Sequence, residues 1–139
     1  MTIPDVVLAV VAYLKADSGV AALAGARVFG AEAPPSEAQF MPRQALVVRY
    51  AGGMGVRDDV PIQTPRLDVW AYGATPGEAS ALYLATHGAL RTLSRAVHAG
   101  ALLHSAIQGG GPISGRDPDT HWPFVWGSWV ITAGEEPAQ

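Results

Sequence analysis

The residues best suited to chemistry are Asp117, Asp119 and His121. With Pro118 between the two acids, an extended chain points all three side chains the same way, as a metal-binding loop would. A small metal-dependent hydrolase is therefore one reading. The same residues also suit a solvated turn, since glycines precede them. The four histidines, His87, His98, His104 and His121, have no HExxH spacing. Gly109 to Gly115 lacks the GxGxxG and P-loop patterns and no lysine follows, so a phosphate cradle is not expected. Ser114, in Gly-Pro-Ile-Ser-Gly, is one position away from a GxSxG elbow and has no strand-turn-helix context. Asp58 and Asp59 are adjacent and diverge in an extended segment, which makes them a poor acid/base pair; beside Arg57 they read as a charged loop tip. Trp122-Pro123-Phe124-Val125-Trp126 could stack bases or sugars, but packing in a core or against a subunit explains it better. These residues point to no catalytic group, metal or cofactor.

The bulk properties narrow the classes further. A chain of 139 residues makes one domain, burying roughly 68–70% of the surface its unfolded chain exposes. The absence of cysteine excludes disulfides, thiolate metal sites and Cys nucleophiles. A net charge of −3 with scattered Lys and Arg argues against nucleic-acid binding as the main task. The apolar run Val6 to Leu14 has no basic residue before it, carries Asp5 at its start and is too short to span a bilayer, so neither signal peptide nor membrane anchor is expected.

The elements are organised around Thr64 to Val97. In Arg66 to Tyr72, Leu67, Val69 and Ala71 alternate with Arg66, Asp68, Trp70 and Tyr72, the two-residue period of a strand. Thr75, Pro76 and Glu78 then form a helix start, with a capping hydroxyl, a proline where no N–H is needed and a carboxylate reaching back. Ala79, Leu82, Tyr83, Thr86, Ala89, Leu90, Leu93 and Val97 follow at helical spacing, which predicts a helix as far as Val97 with His87, Arg91, Arg95 and His98 on the opposite face.

The remaining elements complete this unit. A first helix is expected over Pro4–Ala16, a further turn over Val20–Leu23 and a short strand over Arg27–Gly30. Ala31–Arg43 reads as a Pro-rich surface loop and Gln44–Tyr50 as a strand, with a Gly-rich hairpin tip through Asp59. Ala101–Gln108 can be extended until Gly109-Gly110-Gly111-Pro112 breaks it, and Phe124–Thr132 is the last strand. The expected domain is 1–133, with a polar tail over 134–139. The expected fold class is α+β: a largely antiparallel four- to five-stranded sheet with two main helices on one face. Two helices cover only one face, so the other should carry some of Trp70, Tyr72, Trp126 and Trp129, which are candidates for a subunit interface.

Four segments together resemble the tail-completion, or tail-terminator, proteins of long-tailed phages and phage-like gene transfer agents. They are Leu14-Lys15-Ala16-Asp17, Ala22 to Phe29, Arg66-Leu67-Asp68-Val69-Trp70-Ala71 and the helix from Glu78 to Leu90. The resemblance covers roughly residues 5–97. It implies a homo-oligomeric ring, six-fold in that family, that caps the tail tube, stops addition of tube protein and meets the head-completion or connector protein. It implies no catalytic residues, and DNA only as passing cargo in the lumen. Phe40 and Met41 in the Pro-rich loop and Arg57, Asp58 and Asp59 at the hairpin tip are candidates for contacting tube or connector. Another head–tail joining or tail-tube component is the alternative within the same class.

Overall fold

A computed structural model describes residues 4–54 and 62–135. The elements are α1 (Val6–Ala16), α2 (Ser18–Ala24), β1 (Val28–Gly30), α3 (Pro35–Ala38), β2 (Ala45–Met54), β3 (Ile62–Tyr72), α4 (Pro76–Arg91), β4 (Ala96–His98), β5 (Ala101–Arg116) and β6 (Pro123–Glu135). One sheet of six strands runs in the order β1-β2-β3-β6-β5-β4. Every neighbouring pair is antiparallel except β1 with β2. The α+β class thus holds, but with one strand more than the five expected, because β4 (Ala96–His98) is a three-residue edge piece lying where helical spacing continues in the sequence.

Local chemistry explains where the helices begin and end. Asp5 caps α1 by accepting from the Leu8 N–H at 3.1 Å, so the helix starts two residues later than Pro4. Asp17 ends α1 and caps α2 by accepting from Val20 at 3.0 Å, and the two helices meet at 86°. No single helix among the described residues is long and apolar enough to cross a membrane. Thr75 caps α4 through the Glu78 N–H at 3.2 Å, while the Glu78 carboxylate accepts from the Ala74 N–H, a reciprocal arrangement close to a capping box.

The expected extension of α4 to Val97 is overturned. Thr92 turns its hydroxyl back onto the Gly88 and Ala89 carbonyls, and Arg95 adopts a left-handed φ of 50°. The helix stops at Arg91, and Val97 and His98 enter β4 opposite Leu102 and Ala101. Leu93 stays in the core, whereas Val97 is 43% exposed. His87 is on α4 as expected but is half-buried, with its ring 5.3 Å from that of Trp129.

The GGGP segment does not end β5. The strand bends through it by register shifts after Leu103, Gln108 and Gly110 and continues to Arg116. Gly111 has φ +89°, and a Cβ there would sit 2.7 Å from the Trp126 carbonyl oxygen, so the glycine permits close approach to β6. Pro65 lies inside central strand β3, at the point where the β2–β3 register shifts between Tyr50 and Gly53. A bulge is where a strand tolerates proline. β6 includes Gly134 and Glu135, which the expected tail contained.

The core lies between the helices and one sheet face. Leu14, Leu46, Leu67, Leu82, Leu90, Leu103 and Ile131 are fully buried, each contributing about 1.5–3 kcal/mol as an upper estimate. α1 touches β1 and β2 as well as β4 and β5, so the sheet curls around it. Tyr13 spans this curl: its ring stands edge-on to His98 at 5.6 Å and its hydroxyl donates to the Ala89 carbonyl at 2.7 Å. α4 packs on β3, β5 and β6. There Tyr83 lies on Gly127, and its hydroxyl receives a hydrogen bond from the Gln108 amide at 3.2 Å. A Cβ on Gly127 would overlap the Tyr83 ring and hydroxyl. Gly127→Ala is expected to cost about 1–3 kcal/mol or more through overpacking, read as a lower urea midpoint at unchanged slope. Adding Tyr83→Leu to that variant should recover part of the loss, a coupling a double-mutant cycle measures.

Candidate functional site: the outer face of the sheet

The face turned away from α1 and α4 is the feature the fold leaves unexplained. Because side chains alternate along a strand, burying Leu67, Val69 and Ala71 against the helices sends Asp68, Trp70 and Tyr72 outward. Register then aligns Tyr72 with Ala45 and Phe124, Trp70 with Val47 and Trp126, and Asp68 with Arg49 and Ser128. Ile113 pairs with Trp126 and Ile107 with Val130 at the β5 margin.

The aromatic side chains form one connected cluster. Trp70 lies 4.9 Å from Phe124 and 6.1 Å from Trp126, and Tyr72 lies 6.0 Å from Trp122 and 6.4 Å from Phe124, mostly edge-to-face. The Arg49 guanidinium sits over the Trp70 ring, 5.1 Å from its centroid, a cation–π contact. Burial pushes the Tyr72 hydroxyl above the usual phenol range, so it remains a neutral donor at physiological pH.

Of the four aromatic residues expected on the uncovered face, Trp70, Tyr72 and Trp126 are there. Trp129 is not: it is 2% exposed and lies on the helix side against His87. It is an odd number of residues from Trp126, so the two-residue period puts it on the opposite face. Arg49, Phe124 and Ile113 were not among the sequence candidates. Their signal was the alternation in each strand, but which residues stand side by side depends on register.

Part of this face is covered by the chain itself. The Pro-rich segment, expected as a loop, contains α3 and lies over the β2 side. It encloses a cavity of about 210 Å³ lined by Pro34, Pro35 and Met41 from the segment and by Val47, Arg49, Tyr72 and Trp122 from below and beside it. Val47 is buried although it points away from the helices. Two hydrogen bonds from Arg43 to the Glu37 carboxylate, 2.7 and 2.9 Å, tie α3 to the end of the segment and fix its shape. Phe40 projects outward beneath the Arg43 guanidinium, 5.0 Å from its ring centroid. Met41 instead faces the cavity. Arg57, Asp58 and Asp59 lie outside the described residues.

The β6–β5 side lies beyond that segment, and Trp70, Phe124 and Trp126 there are half-buried. On this face Asp68 Oδ1, Trp70 Nε1, Trp126 Nε1 and Ser128 Oγ are buried without a hydrogen-bond partner among the described residues. Unpaired buried groups cost free energy, about 1–3 kcal/mol each, and call for an explanation.

The acidic constellation resolves into a turn. Asp117 Oδ1 accepts from the Asp119 and Thr120 N–H groups at 2.8 and 3.0 Å, and these bonds, Thr120's first, hold its carboxyl below the usual carboxylate range. His121 takes a left-handed φ of 62°, and its carbonyl accepts from Arg116. Among the described residues no three His, Asp or Glu side chains are grouped to hold a metal ion. Ser114 is on β5 opposite Val125, with no helix behind it to form an elbow.

The Arg43 hydrogen bonds also lower the Glu37 carboxyl below its ordinary 4.5. A depressed carboxylate stabilises the fold above the unfolded-state value and loses that contribution as pH falls through the folded value. The Pro-rich segment is thus expected to keep its shape at neutral pH and to loosen below about pH 4.5. Backbone amide shifts of residues 31–43 should report that transition in the native chain, and the step should vanish in Glu37→Gln.

The family model described as "Tail completion protein gp17" matches residues 8–132. Among solved structures, a chain in the "Virion of native gene transfer agent (GTA) particle" shares the fold: TM-score 0.66, 18% identity, covering 93% of this chain and 92% of that one. No curated protein matches. The family is one of structural tail components, which sets the hydrolase reading aside in agreement with the turn geometry at Asp117. This chain therefore belongs to the gp17 family of tail completion proteins and is a structural protein of a phage-type tail, not an enzyme.

Proposed function

We propose that the protein forms a closed homo-oligomeric ring, six-fold as the tail-terminator resemblance implies, at the head-proximal end of the tail tube. The ring forms in the host cytoplasm and ends addition of tube protein. Its other side meets the head-completion or connector protein at the tail–neck junction. DNA passes the lumen as cargo only, consistent with a net charge of −3 and no basic cluster.

The observation carrying this reading is the aromatic cluster on the outer face: Trp70, Tyr72 and Trp126, with Phe124, are connected and half-buried, and the Pro-rich segment lies over only the β2 side of them. Aromatic residues beside arginine are what subunit interfaces favour. Of the two tube or connector candidates among the described residues, Phe40 is presented on the outside of the Pro-rich segment and Met41 faces the cavity; Arg57, Asp58 and Asp59 complete the proposed contact set.

Another head–tail joining or tube component would share the fold and differ in its assembly product, an open-ended polymer instead of a closed ring. Native mass spectrometry with negative-stain imaging distinguishes them: a single closed species is expected, which shortens and uniformly caps tubes when tube protein is added. Changing Phe40, Met41, Arg57, Asp58 and Asp59 to serine together should leave the ring intact and abolish capping. Normal capping by that variant removes the contact assignment.

A further inference from the structure

The cavity beneath the Pro-rich segment is lined for more than packing. It measures about 210 Å³, below the range of about 300–1,000 Å³ in which small-molecule and cofactor sites fall, so its size suits a single apolar side chain. Pro34, Pro35 and Met41 form its roof, and Val47, Tyr72 and Trp122 its floor and side. The roof is stiff, because proline fixes its own backbone angle and the Arg43–Glu37 hydrogen bonds hold the shape of the segment. A preformed recess takes a side chain without first having to order itself.

Arg49 supplies the polar part of the site. Its side chain lies in the wall of this cavity and also in that of a groove between α1 and β2, so it stands on the ridge between the two. The residue is exposed, and its guanidinium is held over the Trp70 ring. Three carboxylates come from the surrounding elements: Glu32 lines the same cavity, Asp5 lines the neighbouring groove, and Asp68 is the register partner on β3. None of them forms an ion pair with Arg49; among the described residues the Arg43–Glu37 pair is the one such contact. Asp5 instead accepts from the Leu8 N–H and the Tyr50 hydroxyl. A guanidinium stacked on an indole leaves the N–H groups around its edge available, and that fork receives a carboxylate in two parallel hydrogen bonds. The Tyr72 hydroxyl, kept protonated by burial, adds a donor in the same wall.

We propose that the cavity and Arg49 together dock an extended segment of another protein, in which an apolar side chain enters the recess and a carboxylate two residues away pairs with the guanidinium. Side chains two apart on an extended chain point to the same side, so one face of such a segment supplies both contacts. Glu32 in the same wall disfavours a run of acids, which makes the partner an apolar segment with one acid. The site lies within a single copy of this chain and needs neither a ring nor a second copy.

The test uses the full chain, isotope-labelled, and acetylated and amidated hexapeptides of sequence Gly-Ser-Phe-Ser-X-Gly, with X as Glu, Gln or Lys. Titration is expected to move the backbone amides of residues 31–43 and 45–49. The Glu peptide should bind about five-fold tighter than the Gln peptide, the worth of an exposed ion pair, and the Lys peptide should bind weakest. Replacing Phe by Gly in the Glu peptide should abolish the shifts. Arg49→Gln is expected to bring the Glu and Gln peptides to equal affinity with the amide dispersion elsewhere unchanged, because the residue is exposed. Arg49→Lys, which keeps the charge and loses the fork, should retain only part of the preference. Absence of shifts with all three peptides at millimolar concentration, equal binding of the Glu and Gln peptides to the wild-type chain, or a preference for Lys overturns the proposal. A preference for Glu that survives Arg49→Gln overturns it as well.

Discussion

The contact between Tyr83 and Gly127 sets the arrangement of the molecule. The ring of Tyr83 rests where a side chain on β6 would otherwise be, so α4 comes closer to the sheet there than any other residue would allow. That fixes the helix side of β6 at Val125, Gly127, Trp129 and Ile131. The two-residue period then forces Phe124, Trp126, Ser128 and Val130 to the other side. The aromatic outer face is thus the geometric counterpart of how the core is packed.

Having made such a face, the chain covers part of it by an economical route. The Pro-rich segment needs little conformational entropy to order, because proline restricts the unfolded chain as well, and the Arg43–Glu37 pair ties α3 to the segment's last residue. Its cover ends near Tyr72 and Trp122. Beyond that line lie the half-buried Phe124 and Trp126 and the exposed Ile107 and Ile113 of β5. A face left in this state is consistent with a protein that functions within an assembly, as membership of a tail completion family requires.

The same packing engages the polar groups. The polar groups that sequence reading selected for chemistry have structural tasks: Asp117 closes the β5–β6 turn, His87 packs on Trp129 and His98 on Tyr13. Charged residues hold local geometry at Asp5, Asp17, Glu37 and Glu78.

By itself, the sequence determined the α+β class, the Arg66–Tyr72 strand and its two faces, the cap at Thr75 and the family resemblance, since each depends on local periodicity, capping chemistry or short motifs. Strand alternation separates Trp129 from Trp126, but it gives two faces without saying which is inside, so Trp129 stayed among the candidates for the uncovered face. The sequence put the end of α4 too late, since Leu93 keeps helical spacing after Thr92 has turned the chain. It read the glycines of β5 as a break, when a neighbouring strand made them bulges. Which residues stand side by side on the outer face, that the Pro-rich segment folds over it, and that Arg49 lies in the wall of the cavity beneath that segment were decided only by the tertiary structure. Those facts depend on strand register and on contacts between residues distant in sequence, which local periodicity does not encode.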